Sequence, residues 1–238
     1  MKNIAIIPAR SGSKGLKDKN IKALNGQPLL KYSIDAAISS RIFDEIMVST
    51  DSSHYAEIAK VCGASVPFLR SAENSEDKAS SWNVVIEVLN YYKQIGQTFD
   101  TFCLLQPTSP LRKAEDIVAA YKIFETKKAK AVVSVCEVDH SPLWCNVLNE
   151  DCSLENFLPE RSRGQRQNFK QYYRINGALY IANVKQFLEN NDLYEKNCYA
   201  YIMDKKRSVD IDTIDDFEYA EYLMENINAK NYKININV

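Results

Sequence analysis

No apolar run in this chain approaches the roughly 20 residues that cross a bilayer. The first run, Ile4-Ala5-Ile6-Ile7, stops at Pro8 and Arg10. That is too short for a secretory signal, so a cytoplasmic protein with no membrane partner is expected. Cysteine is present but unorganised. Its six positions, 62, 103, 136, 145, 152 and 198, contain no C-x-x-C spacing, which leaves a zinc knuckle or thioredoxin-type centre without support. Histidine is scarce: His54 and His140 stand far apart, too few for a zinc site. An excess of one charge is missing too. Thirty basic residues face 31 acidic ones, for a net charge of −1. Such a balance argues against nucleic-acid binding driven by bulk charge and leaves room for a local cationic site. Neither G-x-x-x-x-G-K-[ST] nor G-x-G-x-x-G occurs, so a P-loop and a dinucleotide fingerprint are unsupported. No nucleophile elbow stands behind a Ser–His–Asp triad, and no internal repeat is visible.

What the chain has is an ordinary globular mix, 45% hydrophobic and 26% charged over 238 residues. At roughly 100–200 residues per domain, a single domain over 1–238 is expected. Short β-rich runs at 4–8, 45–49, 65–69, 101–105, 131–135, 178–182, 199–203 and 207–211 read as strands. Apolar residues at helical spacing mark 28–40, 53–62, 81–95, 116–126, 184–190 and 213–226. Apolar strands alternating with helices imply parallel pairing with both faces covered. The expected fold class is therefore α/β, a doubly wound and mostly parallel sheet. Ligands in such sheets sit beyond the carboxyl ends of the strands. The pattern breaks over 137–174, read as an insertion of hairpins and loops that serves oligomer or substrate contacts. Residues 229–238 alternate Ile234, Ile236 and Val238 with polar residues and are expected as an edge strand or a mobile end.

The loop after the first strand concentrates charge. Residues 9–20 hold Arg10, Lys14, Lys17 and Lys19 against Asp18 alone. Gly12 and Gly15 allow tight backbone approach, and N–H groups in such a turn form an anion-binding concavity. A phosphate cradle is expected there.

Within this loop, Ile7-Pro8-Ala9-Arg10-Ser11-Gly12-Ser13-Lys14-Gly15 followed by Lys19-Asn20 resembles the signature of the acylneuraminate cytidylyltransferases, also called CMP-N-acetylneuraminic acid synthetases. Further segments match in the family's order: Val48-Ser49-Thr50-Asp51, Leu104-Leu105-Gln106-Pro107-Thr108-Ser109-Pro110-Leu111-Arg112, Asn176-Gly177-Ala178-Leu179-Tyr180 and Ser208-Val209-Asp210-Ile211-Asp212. Together they cover about residues 3–226.

The resemblance implies a Rossmann-like nucleotidyltransferase that moves the cytidylyl group of CTP onto the anomeric 2-hydroxyl of a nine-carbon 2-keto sugar acid, releasing pyrophosphate. CTP brings a charge of roughly −4, and catalysis of such transfers is mainly positioning and electrostatics. Arg10, Lys14 and Lys19 suit the phosphates, Arg10 through its planar fork. Family positions place Arg10, Ser13, Asn20, Arg70, Ser81 and Gln106 at the nucleotide, with Ser81 open to a register shift onto Ala79 or Ser80. Gln106 can donate and accept at once, as a pyrimidine edge requires. Asp210 and Asp212 are the expected Mg²⁺ ligands. On an extended strand they share a face on the order of 6–7 Å apart. Their repulsion of roughly 2–3 kcal/mol at a dielectric of ~20 would be relieved by a cation. The alternative is that Asp212 or Thr213 caps the following helix. On the sugar-acid side, Asn176 and Arg166 match family positions, with Arg161, Arg163 and Arg174 competing for the latter role. Arg112 reads as a helix-entry or substrate cation. A homodimer is implied, with Phe157, Leu158, Phe169, Tyr172 and Tyr173 as contact candidates. Legionaminic, pseudaminic and 3-deoxy-manno-octulosonic acids are alternative acceptors, and a non-catalytic nucleotide-binding module is the alternative of another class.

Overall fold

The computed structural model describes residues 1–13, 15–158 and 170–235, with side chains to residue 226. In chain order the elements are β1 (Asn3–Pro8), β2 (Ala23–Leu24), β3 (Gln27–Pro28), α1 (Leu29–Ser40), β4 (Glu45–Ser49), α2 (Ser53–Val61), α3 (Ala72–Ser75) and α4 (Ser81–Gln94). They continue with β5 (Thr101–Leu104), α5 (Ala114–Thr126), β6 (Ala131–Glu137), β7 (Tyr173–Asn183), α6 (Val184–Asn190), β8 (Cys198–Ile202) and α7 (Ile214–Asn235). One sheet of six strands runs β4-β1-β5-β7-β6-β8. β1 pairs in parallel with β4 and β5, and β6 with β8. β7 runs antiparallel to both its neighbours.

Strand alternation divides the interior in two. Ala5, Ile7, Val48, Cys103, Val132, Leu179 and Ile181 face a core built with α1, α2 and α5. Their neighbours Ile4, Ile6, Met47, Phe102, Leu104, Val133 and Tyr180 face a second core with α4 and α6. Both faces are covered, as the near-continuous apolar strands require. Trp82 packs edge-on against Tyr180 and beside Phe187. A third cluster, Leu24, Leu29, Ile211, Phe217 and Ala220, fastens α7 to the first hairpin.

Several expectations are corrected. Residues 65–69 form no strand; Ser65 alone bridges Met47, and Pro67 has no N–H to extend a ladder. The strand expected at 178–182 is the end of the longer β7. Residues 207–211 are not a strand either. Lys205–Arg207 is a short 3-10 turn, and Ile211 takes its backbone partners from Thr108 and Lys19 rather than from a ladder. Residues 229–235 continue α7 instead of forming an edge strand. The 137–174 insertion leaves the antiparallel pair β6–β7 at Glu137 and returns to it at Tyr173, and between these its described residues hold a 3-10 turn at Pro142–Trp144 and loops. A small hairpin, β2–β3, turns at Asn25 and Gly26, both at positive φ. Asn-Gly is the pair that a tight hairpin turn favours.

Candidate active site

β1 delivers the cationic loop at its carboxyl end, and long-range contacts hold that loop at both ends. The Ser11 N–H and hydroxyl donate to the two carboxylate oxygens of Asp51, each at 2.8 Å. Burial pushes the Asp51 pKa up, but these donors outweigh it and hold the group below its ordinary value. Nine residues after Ser11 the buried Asn20 donates its Nδ2 to the Arg10 carbonyl at 3.0 Å, closing the loop on itself. Between them Asp18 sits at φ 52° and accepts from the Tyr55 hydroxyl at 3.0 Å. A Cβ at Gly15 would collide with the Asp212 carbonyl oxygen. Glycine is therefore what lets the loop lie against the aspartate segment.

The sequence-predicted residues Arg10, Ser13, Lys19, Asn20, Arg70 and Ser81 border one cavity of about 550 Å³, together with Gln106, Asp210 and Asp212. Arg10 forms an ion pair with Asp77 at 3.2 Å. Arg70 is buried, donates Nε to the Ser49 hydroxyl at 2.9 Å, and is pushed down to about 10 by burial. Its charge therefore persists at neutral pH. At 79–81, Ser80 caps α4 through the Trp82 N–H, whereas Ala79 and Ser81 both border the cavity. Gly177 lies close to the side chains of both Gln106 and Asp210. A Cβ there would come within 2.7 Å of Gln106 Oε1 and 3.7 Å of Asp210 Oδ2.

The aspartates sit on either side of Ile211, which is fully buried in the third cluster. The alternation expected of a strand thus survives in an irregular segment. Thr213, not Asp212, caps α7: its hydroxyl accepts from the Asp216 N–H, and Asp216 Oδ2 takes the Thr213 N–H at 2.8 Å. Asp212 is left to accept from Lys19 Nζ at 3.0 Å. The segment is anchored upstream by the ion pair of Arg207 with the buried Asp116, which also accepts from Tyr201 at 2.6 Å. Burial, then the neighbouring Asp212, raises the Asp210 pKa, although Thr108 hydrogen-bonds its carboxylate. Its Oδ1 is buried without a partner. Among the described residues no three acidic, histidine or cysteine side chains gather as a metal cage. Mg²⁺ needs none, since it commonly binds one or two carboxylates plus phosphate oxygens and water. A half-buried carboxylate with an unpartnered oxygen, a second carboxylate beside it and a lysine ammonium already drawn to the pair fit such a cation.

A second cavity of about 640 Å³ shares Asp210 and Asp212 and is bordered by Arg174, Lys205 and Tyr219. Asn176 opens onto neither cavity. It is buried; Nδ2 donates to the Ser208 hydroxyl at 2.9 Å and Oδ1 accepts from Ser134 at 2.6 Å and from the Ala178 N–H. Its amide ties β6 and β7 to the segment that leads to the aspartates. Arg112 likewise lies outside this cavity, buried behind Gln106. Arg166, with Arg161, Arg163, Lys14 and Phe169, lies outside the described residues. Asp51, Tyr55, Asp116 and Thr108 are the functional neighbours that sequence reasoning did not single out.

With the geometry in place, comparison with known proteins is decisive on family. The sequence pattern described as Cytidylyltransferase matches residues 4–235. This chain belongs to the cytidylyltransferase family. It is accordingly a nucleotidyltransferase. It is 40% identical to a CMP-N,N'-diacetyllegionaminic acid synthase of Legionella pneumophila over 94% of this chain and 97% of that one. Identity is 39% with an N-acylneuraminate cytidylyltransferase of Escherichia coli, where all of this chain spans 55% of the relative. A pseudaminic acid cytidylyltransferase of Campylobacter jejuni is 33% identical over 99% of this chain and 98% of its own. Among solved structures, a CMP-2-keto-3-deoxy-manno-octonic acid synthetase complexed with CTP superposes with a TM-score of 0.72 at 16% identity, over 95% of this chain and 99% of that one. The fold is thus the Rossmann-like nucleotidyltransferase fold. Among the described residues no helix is long and apolar enough to cross a membrane.

Proposed function

We propose that this cytidylyltransferase transfers CMP from CTP to the anomeric 2-hydroxyl of a sialic acid, releasing pyrophosphate. The observation that carries this reading is the aspartate pair common to two cavities. One holds the cations and loop suited to a triphosphate; the other holds Arg174 and Lys205, which suit a carboxylated sugar. The hydroxyl oxygen forms a bond to the α-phosphorus, the bond from that phosphorus to the β-bridging oxygen breaks, and the hydroxyl proton is released. Arg10 and Lys19 hold the phosphates, Arg70, Ser13, Ser81 and Asn20 seat the nucleotide, and Gln106 reaches both partners. Asp210 and Asp212 would hold Mg²⁺, which when bound supplies a Lewis acid at the α-phosphate and acidifies the attacking hydroxyl. Arg166 belongs to the sugar-acid side on the strength of the family resemblance.

A second reading, N,N'-diacetyllegionaminic acid as acceptor, is favoured by the identity to the Legionella relative over nearly both full lengths. Pyrophosphate release from CTP with N-acetylneuraminic, legionaminic, pseudaminic and 3-deoxy-manno-octulosonic acids separates the readings. The highest kcat/KM is expected with N-acetylneuraminic acid; a preference of ten-fold or more for another acid would replace it as the acceptor. The homodimer stays part of this proposal, on the exposed Leu158 and Tyr173 among its contact candidates. Sedimentation at several concentrations is expected to give a two-chain species, and a monomer throughout would remove it.

A further inference from the structure

β5 and β7 pair as far as Leu104 and Tyr180. Carried two residues further, the same register sets Gln106 opposite Ala178. The strands have parted by then, because the chain leaves β5 to form the wall of the cavity. The backbone groups stranded at that point still need partners. Arg112 supplies them: Nη1 donates to the carbonyls of Gln106 at 3.2 Å and Ala178 at 3.0 Å, and to Ser109 at 3.4 Å. Its Nη2 donates to the Ser33 hydroxyl at 2.6 Å, which in turn donates to the Gln106 carbonyl at 3.3 Å.

The arrangement is expensive. Arg112 is 2% exposed, and its Nε is buried without a partner. Among the described residues no carboxylate pairs with it; Asp116 acts on it only from a distance. Burying a charge without a counter-charge is unfavourable, so helix entry alone, which neutral caps provide, does not account for it. The two carbonyls it joins flank the close approach of Gly177 to Gln106, where a Cβ would meet the Gln106 amide oxygen.

We propose that Arg112 is a positioning residue: it replaces the missing ladder between Gln106 and Ala178 and so fixes where the Gln106 side chain is presented to the substrates. The proposal rests on the cytidylyl transfer proposed above and on Gln106 taking part in it. Arg112 touches neither substrate and acts through Gln106.

A double-mutant cycle tests this. Arg112→Lys keeps the charge but loses the fork. It is expected to lower kcat/KM about ten-fold in the wild-type background and less than two-fold when Gln106→Ala is already present, the non-additivity of residues that act through one another. An equal loss in both backgrounds, or no loss, overturns the proposal. If the lysine variant does not fold, Ser33→Ala, which removes the hydroxyl between Arg112 and Gln106, takes its place in the same cycle. A readout independent of turnover is the side-chain amide resonance of Gln106, assigned by its disappearance in Gln106→Ala. It should shift in the Arg112 or Ser33 variant, and an unmoved resonance also overturns the proposal. Failure of wild-type turnover with every sugar acid would sink the proposed reaction instead, and the resonance would still decide the role of Arg112.

Discussion

Asp210 is held at a cost to the fold. Its Oδ1 is buried without a hydrogen-bond partner, and burial together with Asp212 raises its pKa. The folded protein therefore binds a proton at this group more readily than the unfolded chain does, and the charge at Asp210 reduces stability at neutral pH. Stability is regained as pH falls through the raised pKa. Asp210→Asn is expected to raise Tm by roughly 2–4 °C at pH 7, about 1 kcal/mol in a chain of this size. Turnover should fall at least ~100-fold, the stability–activity exchange common at functional sites. Calorimetry and a pyrophosphate assay measure the two. The same proton competes with a metal ion, so the Mg²⁺ concentration for half-maximal rate should rise as pH drops toward 5. Gly15→Ala is a second residue-scale test. Its Cβ would meet a backbone oxygen, that of Asp212, which cannot swing aside as a side chain can. Turnover should drop more than ~10-fold through displacement of the aspartate segment.

At the scale of elements, the cationic loop is placed by the corner between β4 and α2. Asp51 and Tyr55 grip it about 40 residues away in sequence, at Ser11 and Asp18. Asp51→Ala should raise the KM for CTP about ten-fold and lower kcat much less, since it loosens a binding loop without touching the reacting atoms. Asp51→Asn should fall between. The aspartate segment is tethered in the same manner by Asp116 and Arg207. Asp116→Ala should destabilise the protein by roughly 1–3 kcal/mol, the cost of leaving the Tyr201 hydroxyl and the Lys113 N–H without their acceptor while the partly exposed Arg207 turns to water, measured by urea unfolding. These anchors explain what was and was not legible in the sequence. The loop announced itself by a local charge excess, and Asp210 and Asp212 by their spacing. Asp51 was visible only as a motif residue and Tyr55 and Asp116 carried no local signal, because their roles exist only once distant segments meet. Asn176 was visible as a motif residue, but its burial was not: an amide looks the same in sequence whether it meets a ligand or, as here, Ser134 and Ser208. The turn at Asn25-Gly26 was passed over, although its residue pair is one that a tight hairpin turn favours.

Across the whole molecule, the two-faced sheet is what the apolar strands predicted, because burial on both faces leaves a continuous hydrophobic run. The reversed direction of β7 was not predictable, since such a run carries no sign of which way it points. That reversal matters, for it lays Gly177 beside Gln106 and Asp210 and leaves the aspartate pair on the border of both cavities. The account as a whole depends on CTP and a metal ion meeting there. A crystal structure of this protein with CTP and Mg²⁺ tests that most directly. The triphosphate should lie along residues 10–20, with a cation touching carboxylate oxygens of Asp210 and Asp212. Nucleotide bound at any other surface, or a metal ion that contacts neither aspartate, would contradict it.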